Sequence, residues 1–294
     1  MYWPFLPGSN DPCILASFHW EKGGNRTVKD FQFDAAGVRL HCIEDGQGAP
    51  VVLIHGFTLN IQKQWVATGV FQALAAKYRV VAMDSRGHGL SEKPHVPSAY
   101  GPELGYDVIR LLDHLGIARA HLVGYSMGAH ILALLVTQHP ERFLTMTLGG
   151  AAGRRSWSAA DQQRVDTEAA ELEAGVLTTQ ILRLWPSDQP RPDEAAIRRI
   201  SAARLAGQDA LALAAIRRAN PTQIVPEAAL AKVMVPSLGI VGTDDPYLAE
   251  FQRLRATMPQ LELATIEGAS HGAAPGRPEF AQEVLGFLGR HSAG

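Results

Sequence analysis

Residues 121–130 read His-Leu-Val-Gly-Tyr-Ser-Met-Gly-Ala-His, and an apolar helical pattern at Ile131, Leu132, Leu134 and Leu135 follows directly. A serine in G-x-S-x-G spacing between a strand and a helix sits in a sharp turn that projects its hydroxyl beyond the sheet. The crowded flanking positions are those of Gly124 and Gly128. The pentapeptide alone recurs in structural turns, but here both flanking elements are present, which makes Ser126 a candidate nucleophile. A serine hydroxyl attacks poorly at neutral pH, so it needs a base within hydrogen-bond reach and an acid to orient that base. Of the 11 histidines, His271 alone lies in a Gly/Ser loop, Gly268 to Gly272, after the final apolar strand pattern. It is the candidate base. Asp244 and Asp245 follow an earlier strand, and the residues alone leave either as the acid. Together these groups have the chemistry of acyl transfer.

The elements that must position them follow from periodicity. Two short alternating runs between 27 and 44, joined at Ala35-Ala36-Gly37, predict a hairpin. Continuous apolar runs at 51–54 and 79–83 are the mark of strands covered on both faces. A helix is expected from Trp65 through about Lys77, another from 102 to 115 ending at Gly116 in the C′ position, and the elbow helix runs to His139-Pro140. Residues 144–148 form the sixth strand. Alternation of strand and helix predicts an α/β fold with a doubly wound, mostly parallel sheet flanked by helices. From 154 to 225 no strand is legible, only four helical periods at 159–174, 176–185, 193–205 and 209–219. This segment is expected to form a helical cap over the carboxyl end of the sheet, where open α/β sheets bind ligands. Trp157, Leu184 and Trp185 are its candidate pocket residues. Strands resume at 237–241 and 261–266, with a closing helix at 279–288. The expected domains are a core of 27–153 and 226–294 with the cap of 154–225 inserted.

Bulk properties narrow the partners. The 294 residues are 46% hydrophobic and 19% charged, with a formal charge of -2. No apolar run approaches the roughly 18 to 20 residues needed to span a bilayer. The absence of a basic excess argues against nucleic acid. Cys13 and Cys42 have neither disulfide-framework nor metal-site spacing, so no metal is expected and a reducing cytoplasm is the expected compartment. Residues 1–26 hold Pro4, Pro7, Gly8 and Pro12 among Tyr2, Trp3, Phe5, Phe18 and Trp20. They lack the early positive charge and cleavage site of an export signal. Such a tail is expected to lie across the main domain or a partner subunit, the alternative being a start codon assigned too early. Homo-oligomerisation stays open.

From about Thr27 onward the chain resembles the α/β-hydrolase family. The likeness rests on HGF at 55–57, DSRGHGLSEKP at 84–94, GYSMG at 124–128, GTDDP at 242–246 and GASHG at 268–272. That resemblance implies Ser126 as nucleophile, His271 as base and Asp245, by the family's spacing, as acid. It also implies an oxyanion hole formed by the backbone N–H groups of Phe57 and Met127, and no cofactor. His55 is expected to support the oxyanion loop through a backbone contact, His88 to shape a turn, and Arg86 to pin the turn after its strand. The loop at 60–64 is slightly longer than its usual equivalent and is expected to reshape one pocket wall. Serine in place of aspartate at the nucleophile argues against epoxide hydrolases and haloalkane dehalogenases. The implied activity is cleavage of a small to medium carboxylic ester or lactone, as in enol-lactonases and small carboxylesterases. Carbon-carbon bond hydrolases and cofactor-free perhydrolases share the triad. A ligand-sensing receptor of the strigolactone type, with slow or single turnover, is the alternative of another class.

Overall fold

The computed structural model describes residues 28–186 and 189–292. The tail of 1–26, with its expected docking role, lies outside the described residues. Within them, eight strands form one sheet: β1 (Lys29–Asp34), β2 (Arg39–Asp45), β3 (Pro50–Ile54), β4 (Arg79–Met83), β5 (Ala120–Tyr125), β6 (Phe143–Gly149), β7 (Ser237–Gly242) and β8 (Leu261–Ile266). Their spatial order is β1-β2-β4-β3-β5-β6-β7-β8. The first two strands join by an antiparallel hairpin, and β2 runs antiparallel to β4. All other pairs are parallel.

The helices follow the chain as α1 (Val70–Ala75), α2 (Glu103–His114), α3 (Met127–Gln138), α4 (Ala159–Glu173), α5 (Thr178–Arg183), α6 (Glu194–Leu205), α7 (Ala210–Ala219), α8 (Glu227–Leu230), α9 (Leu248–Thr257) and α10 (Pro278–His291). One face of the sheet packs on α2 and α3 through residues such as Val108, Leu111, Ile131 and Leu135. The other packs on α1 and α10 through Phe71, Leu74, Phe280 and Val284. Burial on both sides explains the unbroken apolar runs of β3 and β4. The edge strand β8 exposes part of its length.

Four helices, α4 to α7, follow β6 as the four periods predict, and the short α8 comes between them and β7. Polar caps start three of them. Ser158 and Asp161 form a reciprocal capping box on α4, and the carboxylates of Asp193 and Asp209 accept from the Ala196 and Ala212 amides. Two local features differ from expectation. In place of one helix through Lys77, a π-helical turn at Gln62–Val66 precedes α1. Gly69, in the left-handed region at φ 78°, separates the two, and the Thr68 hydroxyl bonds back to the Gln64 carbonyl at 2.7 Å. The four-residue α8 has too little periodicity to be read from sequence.

The central packing constraint is the approach of α3 to the sheet. A Cβ on Gly128 would lie 2.1 Å from the Ile54 carbonyl oxygen, and one on Gly124 would lie 2.4 Å from the Gly128 backbone. Overpacking of this kind costs about 1–3 kcal/mol. Gly128→Ala is therefore expected to lower the urea midpoint by at least that equivalent. An unchanged midpoint would mean that α3 can lift from β3 without loss.

Candidate active site

Parallel strands bring their carboxyl ends to one edge, and the candidate residues sit on the loops that leave β3, β5, β7 and β8. Ser126 directly follows β5 at φ 52° and ψ -104°, a conformation that a side chain rarely adopts. Two backbone bonds hold it there. Its N–H donates to the Gly149 carbonyl at 2.7 Å, and its carbonyl accepts from His130 N–H at 3.0 Å. Residues held in such regions cost on the order of 1–3 kcal/mol and persist only where their surroundings over-determine them.

His271 bridges serine and aspartate. Its Nδ1 lies 2.8 Å from Asp245 Oδ2 and its Nε2 lies 3.0 Å from Ser126 Oγ. Because a carboxylate only accepts, Nδ1 carries the proton and Nε2 is free to accept from the serine hydroxyl. Asp245 is buried and its other oxygen, Oδ1, accepts from Tyr247 N–H at 2.9 Å. Asp244, by contrast, is exposed, and among the described residues its carboxylate meets only the Thr243 hydroxyl. The tertiary structure thus separates the two aspartates that the residues alone leave equivalent. The Tyr125 hydroxyl donates to the His271 carbonyl at 2.5 Å and so fixes the loop that carries the imidazole.

Phe57 and Met127 lie on either side of the elbow, and both are largely buried. Among the described residues neither backbone N–H donates to a loop carbonyl. Met127 is also the first residue of α3, so its N–H lacks an intrahelical partner and carries the helix's partial positive charge. Side chains position the Phe57 loop. Gln64 Oε1 accepts from Gly56 N–H at 3.3 Å, and Gln208 donates to the Thr58 carbonyl at 3.3 Å. Lys63 and Gln64, from the 60–64 loop, form part of the cavity wall.

The supporting polar residues have structural roles. His55 Nδ1 donates to the Gly56 carbonyl and its Nε2 accepts from Ser85 N–H, which fixes a neutral tautomer. Burial lowers its pKa. Asp84 accepts from Ile61 N–H, Leu90 N–H and His41 Nδ1 at 2.8–3.0 Å. Arg86 makes a bidentate pair with Asp107 at 2.6 Å and donates to the Ala99 carbonyl. It therefore ties its turn to α2.

A cavity of about 1980 Å³ opens over Ser126 and His271, larger than the roughly 300–1,000 Å³ of a common ligand pocket. Leu184 and Trp185 line it, but Trp157 is a correction: it is not among the lining residues. Its half-buried ring packs beside Arg154, and its Nε1 donates to Gln162. Sequence reasoning missed Arg154, Arg183, Arg217 and Tyr247, which do line the cavity. Arg183 and Arg217 lie on helices, where an arginine is mostly exposed. The one signal available was Arg217 next to the apolar run of α7.

Comparison with known proteins agrees with this architecture. The sequence profile of the alpha/beta hydrolase fold matches residues 49–275. The chain belongs to that family. It is 32% identical over 227 residues to 3-oxoadipate enol-lactonase 1 of Acinetobacter baylyi, covering 74% of this chain and 80% of that one. It is 37% identical over 120 residues to 2-hydroxymuconate semialdehyde hydrolase of Pseudomonas sp., covering 40% of this chain and 42% of the relative. With other curated relatives the match spans only 31–35% of their length. The crystal structure of the enol-lactonase from Burkholderia xenovorans superposes with a TM-score of 0.72 at 27% identity, covering 88% of this chain and 99% of that one. No helix among the described residues is long and apolar enough to cross a membrane.

His88 supplies a test of how the Phe57 loop is supported. Its fully buried ring meets the edges or faces of His55 at 5.0 Å and Phe57 at 5.8 Å. Burial, with His55 beside it, pushes its pKa from 6.5 down to about 3. The unfolded chain therefore takes up this proton first as pH falls. Stability is full above about 6.5 and declines toward 3, by up to about 1.4 kcal/mol per pH unit from this residue. His88→Gln is expected to flatten that acid limb in denaturant titrations. An unchanged slope would place His88 in an environment where it charges freely.

Proposed function

We propose that this chain is a serine hydrolase that cleaves carboxylic esters or lactones through an acyl-enzyme. The observation that carries the reading is the unbroken hydrogen-bonded chain from Ser126 Oγ through His271 to buried Asp245, beneath a cavity and beside two amides that are unpaired among the described residues. Ser126 attacks the carbonyl carbon and its proton passes to His271 Nε2. The Phe57 and Met127 N–H groups hold the oxyanion, a contribution of roughly 3–4 kcal/mol per donor at comparable sites. His271 then protonates the departing alkoxide and takes a proton from the water that attacks the acyl-enzyme. Asp245 holds the imidazole in its productive tautomer and stabilises the imidazolium. These steps need no metal or organic cofactor.

Residues 154–225 act as a cap over the reacting bond, with the core supplied by the segments on either side. The cavity size supports a medium acyl group over a very small one. Likeness to an enol-lactonase over most of both chains supports the ester or lactone class. A second reading, carbon-carbon bond cleavage on the same triad, is supported by the shorter likeness to 2-hydroxymuconate semialdehyde hydrolase.

Steady-state assays with p-nitrophenyl esters of increasing acyl length test the proposal. Wild type is expected to turn over repeatedly, with Ser126→Ala reduced by a factor on the order of 10⁵–10⁶. Asp245→Asn is expected to lose roughly 10⁴-fold, whereas Asp244→Asn stays near wild type. Retained activity in Ser126→Ala would overturn the serine mechanism. A single stoichiometric burst would replace the hydrolase reading by that of a ligand sensor.

A further inference from the structure

The cavity wall contributed by α4 to α7 and their flanks is cationic far beyond what its carboxylates balance. Glu168, 2% exposed, is the common partner of three guanidiniums. Arg217 Nε lies 3.0 Å from it, Arg183 Nε 3.2 Å and Arg164 Nη1 3.8 Å. Asp161 offers Arg164 a second carboxylate. Arg154 has none: its hydrogen bond is to the Asn220 carbonyl at 3.3 Å, and among the described residues no carboxylate pairs with it. Arg204 also lines the cavity without an ion pair among the described residues. Two further carboxylates line this wall: Glu227, which pairs with Arg155 at 3.5 Å, and Glu250, which lies under the influence of Arg253 and Arg155.

Arg217 faces the reaction centre. Its guanidinium carbon stands 3.8 Å from the centroid of the Phe57 ring, the residue next to the oxyanion position. Gln180 Oε1 receives Nη2 at 3.0 Å, and the side chain is about nine-tenths buried. His130, on the first turn of α3, contributes no compensating charge. Burial and the surrounding arginines press its pKa well below the ordinary value, and its buried Nδ1 has no partner among the described residues.

A cation held in a partly desolvated wall without a carboxylate is stabilised when an anion arrives with matching geometry. Burial and the adjacent guanidinium of Arg217 push Arg154 down to about 10. A planar guanidinium fork suits a carboxylate, which can accept two parallel N–H bonds. We propose that the substrate carries a free carboxylate in addition to the bond that is cleaved, and that Arg154 together with Arg217 binds it in the Ser126 cavity. This inference rests on the hydrolase reading and names the substrate class of that site.

Two matched pairs test it. One pair places the charge on the acyl side: mono-p-nitrophenyl glutarate against its methyl ester. The other places it on the leaving side: para-carboxyphenyl acetate against its methyl ester. With each rate corrected for spontaneous hydrolysis, the anionic member of at least one pair is expected to have a kcat/KM higher by roughly ten- to a hundredfold, chiefly through KM. Arg154→Gln should remove most of that preference, and Arg217→Lys, which keeps the charge but loses the fork, should reduce it. Ser126-dependent turnover with equal or greater kcat/KM for both neutral members would overturn the carboxylate inference and leave the hydrolase reading standing. If no ester is turned over, the hydrolase reading fails, and calorimetry on Ser126→Ala decides the binding question alone. Monomethyl glutarate binding more tightly than dimethyl glutarate supports the carboxylate subsite, and equal or absent binding of both overturns it.

Discussion

The close approach of α3 to the sheet is the constraint on which the rest of the structure depends. Gly124 ends the space between strand and helix, and Gly128 lets the helix backbone reach the Ile54 carbonyl. The chain between them has only enough length to reverse through a left-handed residue, and that residue is Ser126. Burial of Ile131, Leu132 and Leu135 in the core offsets the local strain. The same geometry points the Ser126 hydroxyl at His271 and leaves the Met127 amide at the start of a helix without an intrahelical partner. The Ser126 hydroxyl and the Met127 amide are therefore placed by one packing event.

Polar networks beneath the surface fix the loops that the sheet alone would leave free. Asp84 gathers the Ile61 and Leu90 amides and the His41 ring, so the loop after β3 and the turn after β4 move together. Arg86 and Asp107 join that turn to α2. Buried ion pairs of this kind contribute little net stability compared with apolar substitutes, but breaking one leaves a costly unpaired charge. Their effect is to favour one loop arrangement over others. Glu168 does the same among α4, α5 and α7, holding three guanidiniums together at a distance where they would otherwise repel.

Much of the architecture was legible because it rests on short-range patterns. Apolar runs between helical periods predict parallel strands covered on both faces, and three of the four helices α4 to α7 carry their own polar caps. Illegible features depend on partners distant in sequence. Gly69 splits a helix that periodicity would continue, and the π-helical turn before it is stabilised by contacts around the Phe57 loop. The type and position of Trp157 suggest a pocket residue, yet its ring packs beside Arg154 and its Nε1 donates to Gln162, so Trp157 itself is not part of the cavity lining. The inward turn of Arg183 on α5 and Arg217 on α7 was not legible, because composition does not reveal which helical face turns inward.

Sequence by itself determined the types of group available and the order in which they meet the sheet: serine after one strand, two aspartates after a later one, histidine after the last. Parallel strands must then deliver those loops to the same end, since every carboxyl terminus points one way. Tertiary structure alone decided which aspartate reaches the imidazole. Adjacent residues in a turn point in different directions, and only Asp245 turns inward. It also decided the charge of the cavity. A net charge of -2 is a sum over the whole surface, whereas the field at Ser126 depends on which guanidiniums folding buries beside it and which carboxylates it leaves outside.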